Sequence, residues 1–204
     1  MPGTTLRKCF ELSGVVPLSV FVVVHVLSYS QVLFGRAAFG VTSGGAWTVL
    51  ECLLVWLPLA FHSLVGLRLS TEPLEPVEPE RSRSWLLRGS GALSVPFIAA
   101  HAFWFRWPLL RGELTSEDLP QLLAARLAST LAGVPLTAAL HLVGLALVSL
   151  HLALGLPRFL ARWGVLSARP ARGLGLGLAA LMFALGAASI IELATGSLLP
   201  RFLV

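Results

Sequence analysis

The sequence predicts an all-α protein, an integral membrane bundle of five transmembrane helices that forms one domain over residues 1–204. Three observations carry this. Hydrophobic residues make up 56% of the chain and charged residues only 12%, where a soluble domain carries about 25% charge. Mean hydropathy is +0.83, too high for a surface that faces water. Five apolar segments, at about 12–33, 47–69, 87–107, 133–156 and 174–195, each approach the ~20 residues that a helix needs to cross a bilayer. None alternates with the period of a barrel strand, and a helix satisfies its own backbone in lipid. The same composition excludes a soluble or disordered chain. Two cysteines are too few for a disulfide scaffold.

The first span follows Arg7 and Lys8. It is too long for a typical signal-peptide core and lacks a clear small-x-small cleavage site, so it reads as a retained helix. After the second span comes TEPLEPVEPERSRS, a Pro- and Glu-rich stretch that turns basic; it has no helical or strand period and reads as extended linker or docking surface. Between the third and fourth spans, LTSEDLPQLLAARLA reads as a short amphipathic helix at the membrane interface, capped by Ser116 or Asp118. Pro17, Pro58, Pro96 and Pro135 put one proline in each of the first four spans, where kinks are expected. Gly173, Gly175 and Gly177 form G-x-G-x-G with no preceding strand; this reads as close helix packing, not a nucleotide loop. No sequence repeat is evident.

Positive charge sets the expected orientation. With the N-terminus cytoplasmic, Arg36, Arg106, Arg111, Arg126 and Arg201 lie outside, and the other ten of the fifteen Lys and Arg residues lie inside. That bias predicts N-in and C-out in the cytoplasmic (inner) membrane. The net charge of +5 is thus a topology signal. No basic stretch interleaved with aromatics suggests nucleic acid.

All five histidines, His25, His62, His101, His141 and His151, fall inside predicted spans, where ionisable residues are costly and usually functional. At ~1.5 Å per residue, His25 and His101 lie ~20 Å from the inner boundary, and His62 and His151 lie ~8–10 Å from it. The chain therefore offers an outer pair and an inner pair. Two neutral imidazoles facing each other can take both axial positions of a haem iron. Zinc usually takes four ligands, and the inner layer offers no third. There is no C-x-x-C-H, so a haem would be non-covalent. Cys9 and Cys52 lie on opposite sides and read as unpaired thiols. Gly66 and Gly155 follow His62 and His151 by four residues, and Gly14 and Gly144 precede His25 and His151 by whole turns. They leave room for a flat macrocycle or serve ordinary helix packing.

The chain resembles the single-chain, five-helix cytochrome b anchor of succinate dehydrogenase. The resemblance rests on LSGVVPLSVFVVVH ending at His25, LECLLVWLPLAFHSLVG around His62, LLRGSGALSVPFIAAH ending at His101, and VGLALVSLHLALGL around His151, followed by RWGVLSARPAR. It implies two b haems, with His25 and His101 ligating the haem far from the soluble subunits and His62 and His151 the near one. It implies flavoprotein and iron–sulfur partner subunits on the cytoplasmic face and a membrane quinone as substrate. The basic stretches Arg158–Arg172 and Arg81–Arg88 are the expected docking surface.

Four further residues have open readings. Glu51 lies three turns before His62 and either handles protons at a quinone site or sits passively among headgroups. Arg88 either pairs with haem propionates or anchors the inner boundary. His141 either bonds a propionate, a quinone or a core carbonyl, or rivals His101 as ligand. Glu192 reads as interfacial. Two other functions also stand: a di-haem cytochrome b for another quinone-linked dehydrogenase, and a haem-free transporter or proton channel with a histidine relay.

Overall fold

The computed structural model describes residues 4–35, 45–72, 81–115 and 117–196. Arg36, Arg201, Ser116 and residues 73–80 of the Pro- and Glu-rich stretch lie outside them. The described residues are all-helical apart from turns. Four helices are long and apolar enough to cross a membrane: α1 (Thr5–Phe34), α2 (Thr48–Ser70), α6 (Leu136–Arg162) and α7 (Ala168–Thr195). Between them lie α3 (Arg81–Phe105), a short α4 (Trp107–Leu110) and α5 (Leu119–Ala128).

The third expected span is the 25-residue helix α3. It is not among the four apolar helices because Arg88, Ser90, Ser94 and His101 dilute it; Ser84, Ser90 and Ser94 are buried. The basic RSRS of the preceding stretch is its first turn, not linker. The fourth expected span begins later than 133. Leu131 and Val134 exchange N–H···O bonds of 2.9 and 3.0 Å across Ala132 and Gly133, both at positive φ. The helix starts only after this tight turn, with Pro135 before its first residue. Pro135 therefore kinks nothing. Pro17 lies within a widened π segment, Gly14–Ser19. Pro58 follows another, Cys52–Trp56. A proline supplies no N–H to the preceding turn, so its carbonyls re-pair with a wider spacing.

Packing is inverted relative to a soluble bundle. Large apolar side chains point outward, as in the stripe Val16, Val20 and Val24 and in Leu53, Leu57 and Leu64. The interior is small or polar. Along α7 the buried positions are Ala171, Gly175, Ala179, Met182, Gly186, Ser189 and Glu192; along α6 they are Ala138, His141, Gly144, Ser149, Ala153 and Pro157. Small residues let helix backbones approach where lipid supplies no hydrophobic drive. A Cβ on Gly186 would stand 2.8 Å from Leu145, and one on Gly175 would strike the Pro157 ring. Gly173 and Gly177 meet nothing within 4 Å, so of the G-x-G-x-G only Gly175 is a packing glycine.

Helix α6 is central, packing against α3 and α7; α2 packs on α3 and on the first half of α1, and the second half of α1 packs on α7. At the end where α1 begins and α6 finishes, Glu11 accepts from Arg162 and from Trp163 Nε1 (2.9 Å). At the opposite end, α5 buries Leu119, Leu123 and Leu127, one face at four-residue spacing. Leu119 and Leu123 meet Phe105, Tyr29 and Val32, so this amphipathic helix covers the end of the bundle. Asp118 precedes α5 without capping it. Its carboxylate accepts instead from Thr115 Oγ1 (2.7 Å) and Thr115 N (2.9 Å), which holds its pKa below the usual carboxylate range. Glu192 is buried, at 4% exposure, three residues before the end of α7.

Candidate functional site

The histidines meet in two layers inside the bundle. His62 of α2 and His151 of α6 have ring centres 6.2 Å apart and planes at 82°. His25 of α1 and His101 of α3 have centres 5.8 Å apart and planes at 83°. A metal–imidazole bond is about 2 Å, so two imidazoles on opposite sides of one ion have ring centres about 6 Å apart. Among the described residues, no group of three or more His, Cys, Asp or Glu converges to hold a bare metal ion.

Hydrogen bonds decide which nitrogen each ring presents. His62 Nδ1–H donates to the Phe10 carbonyl of α1 at 3.1 Å. His151 Nδ1–H donates to the Leu87 carbonyl of α3, also at 3.1 Å. A carbonyl only accepts, so in each neutral ring Nδ1 carries the proton and Nε2 keeps its lone pair. A partner on the other nitrogen is the usual way in which a metal-ligating histidine is oriented. Donor type, spacing and tautomer in this layer fit an iron with two axial imidazoles.

The two inner histidines sit in near-copies of one cradle. Ser13 Oγ donates to Phe10 O (2.8 Å) and approaches His62 Nδ1 (3.3 Å). Ser90 Oγ donates to Leu87 O (3.1 Å) and approaches His151 Nδ1 (3.5 Å). The next residue is glycine each time. A Cβ on Gly14 would run into the His62 ring, and one on Gly91 would stand 2.7 Å from His151 Cε1. The glycines that touch the rings thus come from neighbouring helices. Gly66 and Gly155 face Phe10 and Leu87, and Gly144 is pressed by Phe97. Sequence reasoning missed this cradle. Its signal is a short repeat, Ser13-Gly14 and Ser90-Gly91, followed by His25 and His101 at eleven and ten residues from the glycine.

The remaining candidates divide. His141 bonds His101 (Nε2 to Nδ1, 3.2 Å) and, through Nδ1–H, the Thr137 carbonyl (2.7 Å). Glu51 is an ion pair with Arg106: Nε donates to Oε1 at 2.9 Å and Nη2 to Oε2, and Trp56 Nε1–H also donates to Oε1 at 3.0 Å. Arg106 is five residues past His101, about 7.5 Å further along the helix, so Glu51 meets it beyond the His25–His101 layer. Arg88 Nη1 donates to the Ser70 carbonyl (3.3 Å) and to that of Glu72, closing the end of α2. Arg83, Arg158, Arg162 and Arg172 line a recess between α3, α6 and α7, where Arg158 donates to Ser84 Oγ at 2.8 Å. Cys9 and Cys52 are free thiols.

Fold and site together define a multi-pass helical membrane protein with paired histidines in its interior. The chain is 24% identical over 168 residues to the succinate dehydrogenase cytochrome b558 subunit of Bacillus subtilis (strain 168), which covers 78% of this chain and 79% of that one. The resemblance to succinate dehydrogenase cytochrome b thus spans most of the chain. No protein-family profile and no solved structure matches it.

Proposed function

We propose that the chain is the membrane anchor and di-haem cytochrome b subunit of a succinate:quinone oxidoreductase. The observation that carries the reading is the inner layer: two histidines on different helices, ring centres 6.2 Å apart, each with its Nδ1 proton given to a neighbouring carbonyl. His62 and His151 would hold one haem, and His25 and His101 the other. A haem bound at each pair supplies one-electron transfer; the chain's own groups orient the ligands and keep water away. A proton relay would need histidines that exchange protons along a path, whereas the carbonyl bonds here lock the inner tautomers. α3 would be the fifth membrane crossing, which would put the termini on opposite sides; the bias of positive charge would then put the N-terminus and the arginine-lined recess on the cytoplasmic side. There the recess offers positive charge to the flavoprotein and iron–sulfur subunits.

The test is direct. The intact chain, extracted from membranes, is expected to contain two non-covalent b haems with low-spin spectra and to co-purify with succinate dehydrogenase activity. Pyridine haemochrome analysis that finds no haem sinks the reading. Co-purification with hydrogenase or formate dehydrogenase subunits would move it to another quinone-linked enzyme.

Glu51 is the candidate for proton handling at quinone. Its carboxylate is clamped by Arg106 and Trp56, so taking up a proton would loosen the ion pair and couple protonation to local movement. Glu51→Gln keeps the shape and an acceptor oxygen but removes the charge. Quinone turnover should fall while both haem spectra stay unchanged. Full turnover in this variant would leave Glu51 as a structural anchor for Arg106.

A further inference from the structure

We propose that His141 is a positioning residue for His101: it accepts the Nδ1–H of His101, leaves Nε2 as the lone-pair nitrogen of that ring, and makes His101 more electron-rich than the carbonyl-bonded His62 and His151. This rests on the haem reading above.

The direction of the hydrogen-bond chain follows from one carbonyl. Thr137 O only accepts, so the 2.7 Å contact requires the proton on His141 Nδ1. In the neutral ring, His141 Nε2 is then an acceptor. The 3.2 Å contact with His101 Nδ1 must run from His101 to His141. Both nitrogens of His141 are therefore engaged, which argues against its being an axial ligand itself. The ring is also held in place: it is 7% exposed and lies edge-on to Phe97 (5.6 Å) and Phe105 (5.4 Å).

His101 thus differs from the two inner histidines in its acceptor. His62 and His151 give their protons to peptide carbonyls. His101 gives its proton to an imidazole nitrogen, a stronger base, whose own N–H is polarised by Thr137. The stronger acceptor draws the His101 proton outward and raises the basicity of Nε2. A more basic axial ligand favours the oxidised iron, so His141 lowers the reduction potential of the outer centre relative to the same site without it.

The experiment uses the full chain, purified with its haems, as wild type, His141→Leu and His141→Gln. Leucine fills similar space but accepts nothing; the glutamine amide oxygen restores an acceptor. In His141→Leu both haems should remain, the outer potential should rise by about 59 mV, a tenfold change in a one-electron equilibrium, and the outer low-spin EPR signal should shift. In His141→Gln potential and signal should return most of the way. The inner haem should not respond to either variant. Loss of the outer haem in the leucine variant alone, with the glutamine variant low-spin, also supports positioning. Unchanged outer potential and signal in His141→Leu, with two haems in the wild type, overturns this inference alone. Loss of the outer haem in both variants overturns it too, since His141 would then act as a ligand. A wild-type chain without haem overturns both this inference and the reading beneath it.

Discussion

His62→Ala or His151→Ala is expected to remove or convert to high spin one haem, the inner one, and to leave the outer spectrum intact. His25→Ala or His101→Ala should do the reverse. The expectation is all-or-none at each layer because each iron would have only two protein ligands, one from each of two helices. The layers should be separable because the contacts that orient them are separate. His62 and His151 depend on Phe10 and Leu87, and His101 depends on His141. Redox titration of each variant, read at the low-spin bands, checks this. Loss of both haems from every single variant would show that the layers fold as one unit. Loss of one haem in His141→Ala, with both low-spin haems kept in His101→Ala, would reassign the outer ligand.

Much of this site was legible because it depends on distance along a helix. Rise per residue places His25 with His101 and His62 with His151 before any packing is known, and the structure brings those rings together. What sequence alone left open depends on contacts between helices. Nothing in the spacing of α2 says that a carbonyl and a glycine from α1 will close on His62. Nothing local to Glu51 announces Arg106, 55 residues away. The burial of Glu192 went unread for a related reason. A carboxylate near a span end usually reaches water, but this one is buried. Pro135 misled at the fourth span because hydropathy continues through Val134 while the backbone turns at Ala132 and Gly133. α3 illustrates the converse. Ser84, Ser90 and Ser94 help to make it less apolar than its neighbours, and all three are buried.

Gly91→Ala should be far more damaging than its size suggests, and Gly89→Ala supplies the control on the same helix. A Cβ at position 91 would stand 2.7 Å from Cε1 and 3.0 Å from Nδ1 of His151. That ring cannot simply swing aside, because its Nδ1 is bonded to the Leu87 carbonyl one turn away. Either the bond breaks or α3 and α6 separate. Overpacking of this kind costs about 1–3 kcal/mol, and here the strain falls on a proposed ligand. A Cβ at position 89 meets nothing within 4 Å, so Gly89→Ala should be neutral or should stabilise the helix by up to about 1 kcal/mol. Gly14→Ala should act on His62 as Gly91→Ala acts on His151. In both cradle variants the inner haem should be depleted or turn high-spin while the outer haem persists, and thermal unfolding should begin earlier than in Gly89→Ala. If Gly91→Ala instead retained the inner low-spin haem and unfolded at the wild-type temperature, the Ser-Gly dipeptides would be helix-packing contacts with no part in holding the ligands.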